Sequence, residues 1–167
     1  MEFELKAVSP QAVPRTLAKA ERYRLLNEPG EAESICLDVL EVEPANQEAL
    51  VMLLLALTDQ FQDDATRVAD ALATLARLRD DYERAYYTGI VYERRARAQL
   101  RHGTPGAGSQ IYEWLRDAMN WYEKAEAIRA PGNDDPLLRW NACARVIMHD
   151  RHLVPISDER AEPLFLE

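Results

Sequence analysis

The chain has 167 residues and a formal charge of −9, with 47% apolar and 29% charged residues, a length and mixture that suit one domain with a sizeable core. The acidic balance excludes general nucleic-acid binding, which needs a basic stripe to release counterions, and favours a basic or neutral partner. The strongest apolar stretch, 49–57, is too short to cross a bilayer, and no basic leader precedes an apolar run, so no membrane association and a cytoplasmic address are expected.

Ala, Leu, Glu and Arg dominate, a helix-favouring mixture. Only Lys6, Lys19 and Lys124 are lysines, a bias that suggests a GC-rich bacterial genome. Ser9-Pro10 offers an N-cap with proline at the first helical position. Leu17, Ala20, Tyr23 and Arg24 recur at helical spacing until Asn27-Glu28-Pro29-Gly30 breaks the run. Ala32, Ile35, Cys36, Val39 and Leu40 form one face of a second helix that stops near Pro44, so the first two helices make an antiparallel hairpin.

Asn46 is placed to cap a third helix, whose Ala49, Leu50, Leu53, Leu54 and Leu57 make a wide apolar stripe. Apolar almost all round, this helix belongs in the middle of the protein. Asp63 or Asp64 caps a fourth, with Val68, Leu72, Leu75 and Leu78 repeating towards Asp80-Asp81. A fifth runs from Tyr82 to Leu100, lined by Tyr86, Ile90 and Ala96. Three glycines and a proline in 101–110 predict a loop. The sixth helix presents Ile111, Trp114, Leu115, Ala118, Tyr122, Ala125 and Ile128 and ends at Pro131-Gly132. Asp135 caps a seventh, with Pro136 at its first position and Trp140, Ala144 and Ile147 turned inward. Period-two alternation is absent over any useful length, so strands are not expected. Residues 1–150 form the helical domain, and 151–167, with two prolines and scattered charges, read as a tail, docked or loose.

Helix pairs at near-constant spacing point to internal repeats. The segment 30–46 resembles the second helix and closing turn of a tetratricopeptide repeat, with Ala32 at a small-residue position and Pro44 closing the unit. Ala20 and Tyr23 match the small and aromatic positions of the first helix. Small residues let two helices approach, the aromatic fills the space between them, and proline stops the second helix. A second unit, 47–80, matches through Leu50, Leu53 and Leu57 but has no glycine at its turn. A third pairs Gly89 and Tyr92 with Ala118, Tyr122 and Ala125, Pro131 lying just beyond, and an inserted loop of roughly ten residues lengthens it past the usual ~34. The last helix resembles the opening of an unfinished fourth unit.

The resemblance covers residues 9–150. It implies an all-α fold of about seven helices, antiparallel hairpins stacked as a short right-handed solenoid. It also implies a protein–protein interaction scaffold, not an enzyme, in which first helices line a concave groove holding a peptide or helix of a partner. The family's register puts Val51, Leu55, Tyr86, Ile90, Arg94, Asn141 and Arg145 on or near that face, with Tyr86, Ile90, Arg94, Asn141 and Arg145 as the partner-binding residues. Apolar and aromatic anchors beside two arginines suit an extended segment with an acidic or carboxylate end. The basic clamp of chaperone-binding members is not matched.

Chemistry is sparse. Gly103, Gly106 and Gly108 have no following Gly-Lys-Ser/Thr and no preceding strand, so they make no phosphate loop. Arg94, Arg95 and Arg97 read as solvated surface. His149 and His152 are spaced to meet on one helical face, but metal binding needs further ligands, for which Asp150 or Asp158 are only loosely placed candidates. Cys36 and Cys143, in apolar helical patterns, read as free buried thiols. Acid pairs at 63–64 and 134–135 are explained by helix capping. No catalytic residue, metal or cofactor is expected. Glu162-Pro163-Leu164-Phe165-Leu166 looks like a short linear ligand, able to occupy this chain's groove or, in a homodimer, a neighbour's. A small acidic export-type chaperone is the alternative function, and an enzyme with a site between helices the more distant one.

Overall fold

The computed structural model describes residues 3–156, and in these the fold is all-α. A short 3-10 turn, Pro10–Ala12, leads into α1 (Val13–Leu25), α2 (Pro29–Val42), α3 (Gln47–Asp59), α4 (Arg67–Leu75), α5 (Asp81–His102), α6 (Gly108–Ile128) and α7 (Asp135–His149). Each helix packs on the next, and α3 also packs on α1 and α5. Short connections reverse the chain at every step, so the odd-numbered helices run one way and the even-numbered ones return. The result is a series of helix hairpins stacked side by side.

Caps account for several boundaries. The Asn46 side chain accepts from the Ala49 N–H at 2.9 Å at the start of α3, and Asp80 accepts from the Glu83 N–H at 2.8 Å at the start of α5. Three expected caps are displaced. Ser9 precedes the 3-10 turn and makes no side-chain cap, so α1 begins only at Val13. Asp135 lies inside α7; Asp134 is the boundary residue, and Asn133 accepts from the Asp135 N–H at 3.1 Å. Neither Asp63 nor Asp64 caps α4, whose boundary residue is Thr66; Asp64 instead accepts from both the N–H and the hydroxyl of Thr66, closing an Asx-type turn ahead of the helix.

The ten-residue loop expected after Leu100 is shorter. Helix α5 continues to His102, Gly103 closes it in the left-handed conformation (φ 63°), and α6 starts at Gly108. The extra sequence has gone into the helices: α5 and α6 have 22 and 21 residues against 13 and 14 for α1 and α2.

Two apolar clusters fill the interior. The first joins α1 to α4 around the fully buried Leu50, Leu54, Ala32 and Cys36; the second joins α5, α6 and α7 around Leu115, Ala118, Tyr122 and Cys143. Helix α3 is buried along most of its length, as its composition requires. The packed faces differ from expectation at the edges. Leu72 and Ile128 are exposed; Trp140, Ala144 and Ile147 do turn inward and pack on the second cluster, half-buried, while Pro136 and Cys143 are the buried residues of α7. This end helix packs chiefly on α6, so one narrow stripe is covered. Beyond α7, Leu153 is buried in the second cluster, so residues just past 150 belong to the body. The segment Glu162–Leu166, and any groove occupancy or dimer contact through it, lies outside the described residues.

Candidate functional site

The hairpin stack brings the odd-numbered helices to one concavity of about 380 Å³. Helix α1 supplies Arg24, α3 supplies Thr58 and Asp59, α5 supplies Glu93, Arg94, Arg97 and Arg101, and α7 supplies Arg139. Five guanidiniums therefore face two carboxylates, a net +3 in a chain of net −9.

Each carboxylate is held by two arginines. Arg24 Nε donates to Asp59 at 2.7 Å, and Arg94 Nη1 donates to the other Asp59 oxygen and, at 3.0 Å, to the Thr58 hydroxyl. Asp59 thus ties α1 to α5 across the end of α3. Glu93 lies deeper, 1% exposed. It accepts from Arg97 Nε at 2.7 Å, from Arg139 Nη1 at 3.4 Å, and from the Tyr122 hydroxyl at 2.7 Å. A buried carboxylate needs such partners, because an unpaired one would carry its full desolvation cost. Among the described residues, Arg101 pairs with no carboxylate and donates to Gln62 at 2.9 Å.

Burial, reinforced by Glu93, drives the Tyr122 hydroxyl far above the usual phenol range. Burial is the largest influence on Arg139 and opposes its charge, but the Glu93 carboxylate together with the Tyr122 and Tyr86 hydroxyls outweighs it and pushes the guanidinium up. Tyr86, raised by burial, stacks on Tyr82 at 5.8 Å and tilts against Tyr122 at 5.8 Å. The Tyr122 ring reaches α5 because Gly89 leaves room: a Cβ there would stand 2.5 Å from Tyr122 Cε1. Both cysteines are free and buried, and burial pushes each thiol up to about 12, which makes neither an activated nucleophile.

Comparison with family models, with curated proteins and with solved structures finds no match to this chain. The geometry must therefore carry the functional reading.

Of the five residues expected to bind a partner, Arg94 alone lines the concavity. Ile90 is 2% exposed and belongs to the second core cluster, so it is not available to a ligand. Tyr86 is half-buried beside that cluster, and Val51 and Leu55 are likewise partly buried packing residues. Asn141 is exposed in a shallow hollow with Glu123, Glu126, Leu137 and Trp140, away from the arginines, and Arg145 is exposed elsewhere on α7. The family register fails on α7 because the helix packs through its Pro136–Cys143 face.

The arginines are not simple solvated surface. Arg94 and Arg97 are ion-paired in the groove wall, and Arg95, on another side of α5, lies 4.1 Å from the Trp114 ring centroid. Missed altogether were Arg24, Asp59, Glu93, Arg101 and Arg139. The spacing of Arg94 and Arg97 on one helical stripe was visible in the sequence, but Arg101 fell in the expected loop and joins the stripe only because α5 runs on to His102, and the pairing across helices was not visible. His149 ends α7 and His152 lies in the turn beyond it, so the two do not share a helical face. Among the described residues, no group of three His, Cys, Asp or Glu is arranged to hold a metal, and no helix is long and apolar enough to cross a membrane.

Proposed function

We propose that this chain is a tetratricopeptide-type interaction scaffold that holds a peptide or helical segment of a partner protein in the groove between α1, α3, α5 and α7. One observation carries the reading: the first helix of every hairpin contributes to a single concavity with an unbalanced charge. A core alone would not need that arrangement, since two arginines already satisfy Asp59 and two more, with Tyr122, satisfy Glu93. Ala20, Ala32, Gly89 and Ala118, each buried where paired helices meet, support the repeat assignment. The two free thiols suit a reducing cytoplasm, and the arginine-rich composition suits a bacterial source.

Capture from native lysate tests the reading. Wild type is compared with an Arg97→Gln, Arg101→Glu variant whose melting temperature is measured alongside. A protein retained by wild type and released by the folded variant is the expected outcome. Equal retention by both, or by neither, removes the groove from the function.

A further inference from the structure

Resting on that reading, the donor pattern of the groove names the chemistry of its ligand. Arg24, Arg94, Arg97 and Arg139 each use one guanidinium nitrogen on a carboxylate, and Arg101 uses one on Gln62. A guanidinium carries five N–H donors, so most of the donors lining the concavity are left over. Among the described residues, no nitrogen of Arg24, Arg94, Arg97 or Arg139 is both buried and unsatisfied, and Arg101 is itself exposed, so the leftover donors are open to water. A ligand oxygen would replace that water.

Arg94, Arg97 and Arg101 follow one another at three and four residues along α5, which places them on one stripe with neighbouring Cβ atoms about 5–6 Å apart. Same-face side chains of an extended peptide recur at about 6.6 Å, a mismatch that long arginine side chains absorb. The two-to-one ratio of arginine to carboxylate leaves each ion-paired group with one positive charge, and Arg101 adds a third. Arginines in last helical turns do offset the helix dipole, which accounts for Arg24 and Arg101 but not for Arg94, Arg97 or Arg139.

We propose that the groove binds an extended acidic segment of a partner, with Asp or Glu at alternate positions, its carboxylates accepting from Arg94, Arg97 and Arg101. The net charge of the chain points to a basic partner; the groove inverts that preference locally. Charge-assisted contacts of this kind fix register and specificity, and they weaken with salt.

A labelled alternating Glu-Ala peptide, its Gln-Ala counterpart and a phosphoserine-Ala counterpart are titrated by fluorescence polarisation against the full chain. Salt is set at about 0.05 M and about 0.3 M. The Glu-Ala peptide is expected to bind at least about tenfold better than the Gln-Ala peptide, and to lose most of that advantage at the higher salt. Arg97→Gln with Arg101→Gln should abolish the preference, the single exposed-site variant Arg101→Gln should reduce it, and Arg145→Gln should leave it intact. Equal binding of the Glu and Gln peptides overturns the proposal while the groove reading stands. If no peptide binds, the proposal falls, and the lysate capture then decides the groove reading separately. Phosphoserine bound more than about tenfold better than glutamate would overturn the assignment to carboxylates.

Discussion

Tyr122 on α6 donates its hydroxyl to Glu93 on α5 at 2.7 Å, and its ring lies where a Cβ on Gly89 would be. One aromatic side chain therefore closes the α5–α6 hairpin and also braces the floor of the groove. The fully buried ring cannot swing away, so the contact tolerates little change.

Gly89→Ala should destabilise the protein. Alanine gains about 1 kcal/mol of helix propensity over glycine, but its methyl meets three Tyr122 ring atoms at 2.5–2.9 Å. Overpacking of this kind costs about 1–3 kcal/mol, so a net loss of about 1 kcal/mol is expected in urea unfolding. A stabilised variant would show that the ring and helix are not in this contact.

Alkaline pH should weaken the fold. The thiols of Cys36 and Cys143 rise from 9.0 to about 12 on folding, chiefly by burial, and Tyr122 is raised as well. The unfolded chain releases these protons first, so stability is complete below about pH 9 and falls between 9 and 12. Each group contributes a slope of about 1.4 kcal/mol per pH unit. Cys143→Ala should reduce the slope by one proton's worth in unfolding curves taken across that range. An unchanged slope would place Cys143 in water in the folded state.

Leu153→Ala should cost about 2–5 kcal/mol, because Leu153 is 4% exposed and belongs to the buried cluster that holds Ile111 and Leu115. The urea midpoint measures it. No shift would mean that the chain beyond α7 is not part of the core, and truncation at residue 150 would then be harmless.

Asp59→Asn should separate stability from binding. It removes the charge that Arg24 and Arg94 share across 70 residues of sequence, lowering stability by about 1–3 kcal/mol. It also frees positive charge in the groove, so the Glu-Ala peptide should bind more tightly to this less stable variant. Weaker peptide binding by a folded Asp59→Asn protein would argue that Asp59 positions the arginines that the ligand needs.

Helix order, the central place of α3 and the Asn46 cap were all legible in the sequence, because apolar periodicity, proline and capping residues act within one or two turns of chain. The Gly103–Gly108 stretch misled: glycine disfavours helix on average, yet here one glycine ends α5 and another opens α6. The α7 residues misled for another reason. A family register assumes neighbours on both sides, and α7 has its main neighbour on one side.

By itself the sequence determined an all-helical chain with its helices in this order, since local propensity and amphipathic spacing need no distant partner. Only the tertiary structure decided which charges meet. Arg24 and Arg94 converge on Asp59, and Arg97, Arg139 and Tyr122 converge on Glu93. Such pairs depend on the rotation of each helix against its neighbours, which the packing of buried side chains sets and no local pattern encodes.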